Sequence, residues 1–148
     1  MKIVKAEIGD LAEILALQKL AYQSEAELVG DYTITPLTQT LEGMAEDFDN
    51  GVILNAVDGG EIVGSVRVRL LEGTLHIGRL IVVPTRQNRG VGAALLLAAE
   101  ELYPGVRCEL FTSERSAKNL HLYMKHGYKE FKRGPLNGNV SFVFLEKN

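Results

Sequence analysis

Two glycines separated by one residue follow an apolar run that ends at a proline. The run is Val82-Val83-Pro84, and the glycines are Gly90 and Gly92. Glycine lets a backbone approach a ligand closely, and the unbonded N–H groups at the start of a helix attract anions. Arg86 and Arg89 add positive charge here to a chain whose net charge is −3. The spacing predicts a polyanion-binding turn between a strand and a helix, with a plain βα turn as an equal alternative from the glycines alone.

Motifs for a nucleotide site, a metal site or a cysteine nucleophile are incomplete in this sequence. The glycine pair lacks the third glycine of a dinucleotide-binding turn and the lysine of a nucleoside-triphosphate loop. His121 and His126 have no third ligand, so we expect no metal site. The single cysteine, Cys108, excludes an internal disulfide, and no base pattern marks it as a nucleophile.

The elements that must position these residues are strands and helices in an α+β order. Asp10 and Glu13 resemble a capping box at the start of the first helix, and Thr35-Pro36 opens a second helix that continues to Phe48. Two further helices are predicted over 90–102 and 117–126. Strands are predicted over 2–7, 52–57, 62–70, 75–83, 106–112, 128–132 and 140–145. A strand, a helix and a strand after residue 75 predict one parallel pair.

Composition narrows the class of protein. The chain has 148 residues, 46% of them hydrophobic and 24% charged, so we expect one globular domain over 1–148. The slight negative net charge argues against a nucleic-acid or anionic-membrane partner. No apolar run approaches the roughly 20 residues that cross a bilayer, and no signal peptide is evident, so we expect a cytoplasmic protein.

Two motifs in order resemble those of the GNAT superfamily of N-acetyltransferases. The segment Gln87–Gly92 after Val82-Val83-Pro84 matches its Gln/Arg-x-x-Gly-x-Gly/Ala signature. The segment Ser116–Tyr128 is similar to the family helix that carries Asn…Leu-Tyr-x-Lys-x-Gly-Phe/Tyr. The resemblance covers essentially the whole chain. It implies a GNAT-like fold of the α+β (three-layer α/β) class, with a mixed, mostly antiparallel seven-stranded sheet flanked by four helices.

The resemblance also implies acetyl-CoA as co-substrate and residues that would hold it. The loop amides would bind the coenzyme A pyrophosphate, and the strand before the loop would bind the pantetheine arm. An amide of Ile81 or Val82 would polarise the thioester carbonyl. The family's asparagine aligns with Ser116, and Asn119 also matches a coenzyme contact, so both are candidates. The full set is Ile81, Val82, Val83, Gln87, Asn88, Arg89, Gly90, Val91, Gly92, Ser116 and Asn119.

Two residues are the candidates for proton transfer. The resemblance implies that Tyr123 protonates the thiolate leaving group, although spacing alone favours a core tyrosine. Many relatives place a glutamate base where this chain has Gly78. His76, two residues earlier on the same face, is the best remaining ionisable group, and an imidazole of ordinary pKa, about 6.5, suits a base at neutral pH. Ordered water is the alternative base, and a merely exposed strand histidine is the alternative reading of His76.

Several alternatives remain for the segment that would bind the acceptor and for the function. By the resemblance, the segment from Tyr22 to Gln39 covers the acceptor, and its acidic residues would suit a cationic amine or simply be solvated. The leading function is acetyl transfer to a primary amine by direct attack in a ternary complex. The alternatives are a coenzyme-binding regulatory module without turnover, a protein or peptide N-acetyltransferase, and a nucleotide-binding protein. A homodimer is expected only by analogy with the family.

Overall fold

Seven strands form one mixed sheet in the computed structural model, which describes residues 1–148. Their order across the sheet is β1-β2-β3-β4-β5-β7-β6, and β4–β5 is the only parallel pair. The mostly antiparallel seven-stranded sheet and its parallel pair are confirmed. The strands are β1 Lys2–Lys5, β2 Val52–Asp58, β3 Glu61–Leu71, β4 Thr74–Val82, β5 Arg107–Ser113, β6 Lys129–Asn137 and β7 Val140–Lys147.

Glycine turns make β2, β3 and β4 an antiparallel meander. Gly59 and Gly60 have φ of 60° and 82°, and Glu72 and Gly73 have φ of 50° and 79°. Positive φ at both central residues gives the two-residue turn whose twist matches that of the flanking strands. Two-residue turns therefore join β2 to β3 and β3 to β4.

Six α-helical segments flank the sheet, where the sequence predicted four helices. They are α1 Leu11–Ala21, α2 Gln23–Val29, α3 Thr35–Thr38, α4 Leu41–Asn50, α5 Val91–Glu101 and α6 Ala117–Lys125. The predicted helix from Thr35 to Phe48 divides because Gln39 is extended, with ψ of 139°. Thr40 then caps α4, its hydroxyl accepting from the Gly43 N–H at 3.0 Å. The additional α2 has too few turns to show a helical period in the sequence.

The predicted capping box lies one turn earlier than expected. The Asp10 carboxylate accepts from the Glu7 N–H at 2.8 Å, so Glu7 and Asp10 form the pair instead of Asp10 and Glu13. At the other end of the chain, β6 runs on through Pro135, beyond the predicted strand. A proline is tolerated there because β6 is an edge strand, where a missing N–H breaks no ladder.

Helices cover both faces of the sheet at its centre. Leu95 and Leu96 of α5 are fully buried on one face, while Ile14 of α1 and Met44 of α4 are buried on the other. Each buried side chain of this size contributes about 1.5–3 kcal/mol. β3 is therefore buried over 63–66. None of the helices has both the length and the apolar composition needed to cross a bilayer.

Candidate active site

β4 and β5 pair at only three positions before they separate. The pairs are Thr74–Arg107, Leu75–Cys108 and His76–Glu109. β4 then continues along β3, and β5 continues along β7. Beyond the third pair, the facing edges of β4 and β5 carry backbone groups with no partner strand. We call this gap, between residues 77–82 and 110–113, the fork.

Val82 presents its backbone groups to the fork. The Val83 N–H donates to the Val63 carbonyl of β3 at 2.8 Å. Backbone groups alternate in direction along a strand, so Ile81 and Val83 face β3 and Val82 faces the fork. The Val82 carbonyl accepts instead from Gln87 Nε2 at 3.1 Å, which agrees with this direction. Of the two amides that the sequence left open, that of Val82 is the one directed into the fork.

A bulge distorts β4 just before Val82. Arg79 and Leu80 together oppose Val66 of β3. Ile77 consequently packs in the core under α5, whereas Ile81, four residues on, lines a cavity on the α1 face. Arg79 has φ of 49°, in the left-handed region. That conformation destabilises a non-glycine residue by roughly 1–3 kcal/mol.

The loop after β4 leaves donors free at the start of α5. Gly90, with φ of 83°, is the residue that begins the helix, and Asn88 before it has φ of 64°. The Ala94 N–H donates to the Gly90 carbonyl at 3.0 Å. The N–H groups before Ala94 in the first turn have no helical acceptor, and the helix dipole makes this end partly positive. These donors fit a phosphate group.

The positive charge beside this loop comes from only one of the two arginines that the sequence indicated, together with a lysine. Arg86 is ion-paired with Asp58, so its charge is neutralised. Arg89 is exposed. Lys118 at the start of α6 reaches the loop, where its Nζ donates to Gln87 Oε1 at 3.0 Å. An anion at this loop would therefore lie near Arg89 and Lys118.

Tyr123 of α6 is buried, with 6% of its surface exposed. Burial raises the pKa of Tyr123 well above its ordinary range, and the nearby Tyr22 and Glu25 raise it further. Because α1 and α6 lie on opposite faces of the sheet, this approach of Tyr22 to Tyr123 crosses the sheet at the fork. Burial also raises the pKa of Tyr22, while the charge of Arg79 opposes that rise.

The raised pKa changes the expectation for Tyr123 as an acid. A phenol of pKa about 10 is a weaker acid than a thiol of pKa about 8.5, so full proton transfer to a thiolate is already uphill by about 2 kcal/mol. Burial makes the transfer less favourable still. Tyr123 is therefore suited to donate a hydrogen bond while staying neutral.

Glu25 of α2 points inward and joins two predicted coenzyme contacts. Its carboxylate accepts from Ser116 Oγ at 3.2 Å and from Asn119 Nδ2 at 3.3 Å. Asn119 Nδ2 also lies 3.2 Å from Thr112 Oγ1 at the end of β5. Burial raises the pKa of Glu25, and the Ser116 hydrogen bond opposes this. The structure thus brings Ser116, Asn119, Glu25 and Tyr123 together.

His76 lies apart from this group. It occupies the last paired position of β4 and β5, and its Nδ1 is 3.6 Å from Glu109 Oε2. At about 3.3 Å per residue, Val82 lies on the order of 20 Å further along the strand. The histidine side chain is 42% exposed. It has the environment of an exposed strand residue beside a carboxylate.

The segment from Tyr22 to Gln39 is also hydrogen-bonded to residues at the C-terminal ends of β5 and β6. Arg115 Nη1 donates to the Leu28 carbonyl at 3.0 Å, and Asn137 Nδ2 donates to Asp31 Oδ2 at 2.7 Å. Tyr32, directly after these contacts, is 57% exposed. The segment therefore covers the fork from the α1 face. Its acidic residues do not form a simple rim, because Glu25 faces inward.

Cys108 is part of the core. It is 4% exposed, and its Sγ is 3.6 Å from the Val106 carbonyl. Burial raises the pKa of its thiol, which disfavours the thiolate that a nucleophile requires. This position agrees with transfer that needs no acyl-enzyme.

Comparison with known proteins identifies the family. Residues 12–128 match the model of the acetyltransferase (GNAT) family. A search of curated protein sequences gives no significant match. The PaiA N-acetyltransferase of Thermoplasma acidophilum, solved in complex with coenzyme A, is 19% identical and has a TM-score of 0.80 over 99% of this chain and 97% of that chain.

Two further solved structures share the fold. A GNAT-family acetyltransferase from Streptococcus pneumoniae is 23% identical, with a TM-score of 0.75 over 99% of this chain and 98% of that chain. The ribosomal-protein-S18-alanine N-acetyltransferase of Escherichia coli is 16% identical, with a TM-score of 0.78 over 99% of this chain and 92% of that chain. The chain thus belongs to the acetyltransferase (GNAT) family of acetyl-CoA-dependent N-acetyltransferases.

Proposed function

We propose that residues 1–148 act as one domain that transfers the acetyl group of acetyl-CoA to a primary amine by direct attack in a ternary complex. The observation that carries the proposal is the fork, which opens from the α5 face toward the α1 face. The free donors of the loop lie at the end of β4, and Tyr22 is near enough to Tyr123 to raise the pKa of Tyr123. A thioester in the fork could therefore be approached by an amine from the α1 side.

The residues present fit a coenzyme A moiety. The backbone of Gln87–Gly92 offers free N–H groups for the pyrophosphate, with Lys118 and Arg89 nearby. The open edge of β4 over Ile81–Val83 offers hydrogen bonds for the amides of the pantetheine arm. Ser116 and Asn119 would contact the coenzyme near the fork, and they also orient Glu25.

The reaction needs charge stabilisation more than it needs a strong acid. Acetyl-CoA supplies an activated acetyl thioester. The Val82 N–H would donate to the oxyanion that develops on the thioester carbonyl, an effect typically worth a few kcal/mol. The Tyr123 hydroxyl would donate a hydrogen bond to the sulfur as it leaves. The proton lost by the amine balances the proton that the thiolate takes up from solvent.

We infer that Glu25, and not His76, accepts the proton of the amine. The raised pKa of Glu25 makes it a stronger base than an ordinary carboxylate, and it lies beside both tyrosines of the fork. His76→Gln is then expected to leave the pH dependence of kcat/KM unchanged. Glu25→Gln is expected to remove the acid limb, along which activity falls as the pH drops through the Glu25 pKa. A flattened profile in His76→Gln alone would restore the histidine as the base.

Calorimetric titration with acetyl-CoA, followed by thiol release with amines and peptides, tests the proposal. Binding together with turnover on free amines supports it. Turnover restricted to peptides would indicate a peptide N-acetyltransferase, and binding without turnover on either panel would indicate a regulatory module. Tighter binding of ATP or NAD than of acetyl-CoA would overturn the proposal.

A further inference from the structure

Two arginines converge on the α1 face of β4, beside the fork. Arg67 of β3 and Arg79 of the β4 bulge line one small cavity together with Gln18, Ser65 and Ile81. The cavity holds about 10 Å³ of space accessible to water, which is room for a single water molecule. Such a charged residue on a strand is ordinarily a surface residue in an ion pair. The structure instead places it half-buried at a strained position.

Only one of the two guanidinium groups has a carboxylate partner. Arg67 is ion-paired with Asp47, and its Nη1 is 3.4 Å from Gln39 Oε1. Arg79 takes part in none of the ion pairs of the chain, and its buried Nε has no hydrogen-bond partner. Burial and the charge of Arg79 lower the pKa of Arg67 to about 10, despite Asp47. One positive charge therefore remains uncompensated in a partly desolvated place, where an anion would stabilise it.

This charge lies near the proposed reaction centre, since Arg79 precedes Val82 by only three residues on β4. Tyr22 is close enough to respond to Arg79 on one side and to Glu25 on the other. Tyr22 also interacts with Tyr123 across the fork. If a molecule binds Arg79 through an anionic group, the atoms beside that anionic group would therefore lie toward Glu25 and Tyr123.

We propose that Arg79, supported by Arg67, binds a carboxylate carried by the acceptor, so that the acceptor is an amino acid with its amine close to that carboxylate. This substrate class rests on the proposed acetyl transfer to an amine. A planar guanidinium binds a carboxylate through two parallel hydrogen bonds. Arg79 would bind the carboxylate while Glu25 receives the proton of the adjacent amine.

The test compares α-amino acids with their carboxamides, for example phenylalanine with phenylalaninamide. The amide has the less basic amine and more free base at neutral pH, so a preference for the acid cannot arise from amine reactivity. Wild-type protein is expected to show the higher kcat/KM with the acid. Arg79→Gln is expected to lower kcat/KM for the acid about 10- to 100-fold, the loss of a charge-assisted hydrogen bond, and to leave the amide unchanged. Arg79→Lys should lie between the two.

Matched controls separate this effect from folding and from general charge. Arg69→Gln removes a charge from an exposed position of β3, two residues after Arg67, and should leave the acid-to-amide ratio unchanged. The dissociation constant of acetyl-CoA should be the same in both glutamine variants and in the wild type. Equal loss for acid and amide in Arg79→Gln, or an acid-to-amide ratio near one in wild type, would overturn the proposal.

A binding measurement that needs no turnover tests the carboxylate site separately from the proposed acetyl transfer. The protein saturated with coenzyme A is titrated with N-acetylphenylalanine and with its neutral carboxamide. The acid is expected to bind about 10-fold or more tightly in wild type, and Arg79→Gln should abolish the difference. This readout needs no turnover, so an inactive preparation that still prefers the acid would contradict acetyl transfer and keep the carboxylate site. Equal binding of the two would overturn the site.

Discussion

Tyr123→Phe is expected to lower kcat about 100-fold, at the low end of the range for loss of a hydrogen bond that stabilises charge in the transition state. The hydroxyl is not hydrogen-bonded to another residue, and the ring is buried in the core, so its removal should leave packing intact. The dissociation constant of acetyl-CoA should therefore stay unchanged. Steady-state thiol release and calorimetry measure the two quantities on the same preparation.

Tyr128→Phe is the matched control. Tyr128 is also buried, and its ring centroid lies 6.1 Å from that of Tyr123. Unlike that of Tyr123, its hydroxyl donates a hydrogen bond to Glu100 Oε2 at 2.7 Å. Its loss should lower the free energy of unfolding by about 1 kcal/mol and leave kcat unchanged. If Tyr123→Phe retained wild-type kcat, or if both variants lost it equally, the assigned role of Tyr123 would be wrong.

Gly90→Ala is expected to weaken acetyl-CoA binding about 10- to 100-fold, equivalent to the loss of one or two charge-assisted hydrogen bonds. A Cβ at Gly90 would meet no atom of the chain within 4 Å, but φ is +83°, so alanine is strained there. The strain would shift the loop whose N–H groups are proposed to hold the pyrophosphate. Calorimetric titration with acetyl-CoA checks this result.

Gly105→Ala provides the control at the other end of α5. Gly105 has φ of +80° and no atom within 4 Å of an added Cβ, so the backbone strain is nearly the same. Both variants should therefore lower the free energy of unfolding similarly, by roughly 1 kcal/mol. Binding should fall only in Gly90→Ala. Equal affinities in the two variants would exclude the loop from coenzyme binding.

The loop and the helix after it could be predicted because their signals are local. Proline ends the strand, Gly90 begins the helix, and the apolar residues that follow fill the core within one short segment. Turn glycines likewise mark the meander of β2, β3 and β4. The GNAT fold follows from this order of elements, and the family match supports the same conclusion.

The geometry of the candidate site could not be predicted, because it depends on contacts between distant residues. Glu25 meets Ser116 and Asn119, which are 91 and 94 residues later in the chain. An acidic residue on a short helix gives no sign in the sequence that it faces inward. The bulge at Arg79 is equally hidden, since arginine is not a residue expected at positive φ.

The three-position contact between β4 and β5 has a consequence for how the protein opens. Strands β1 to β4 come from residues 2–82, and strands β5, β7 and β6 come from residues 107–147, so each side of the fork is a contiguous unit. Such units open as separate cooperative blocks in native-state exchange. A molecule that bonds to both edges of the fork would join the two blocks. A substitution that loosens the C-terminal block could then weaken substrate affinity without touching the substrate.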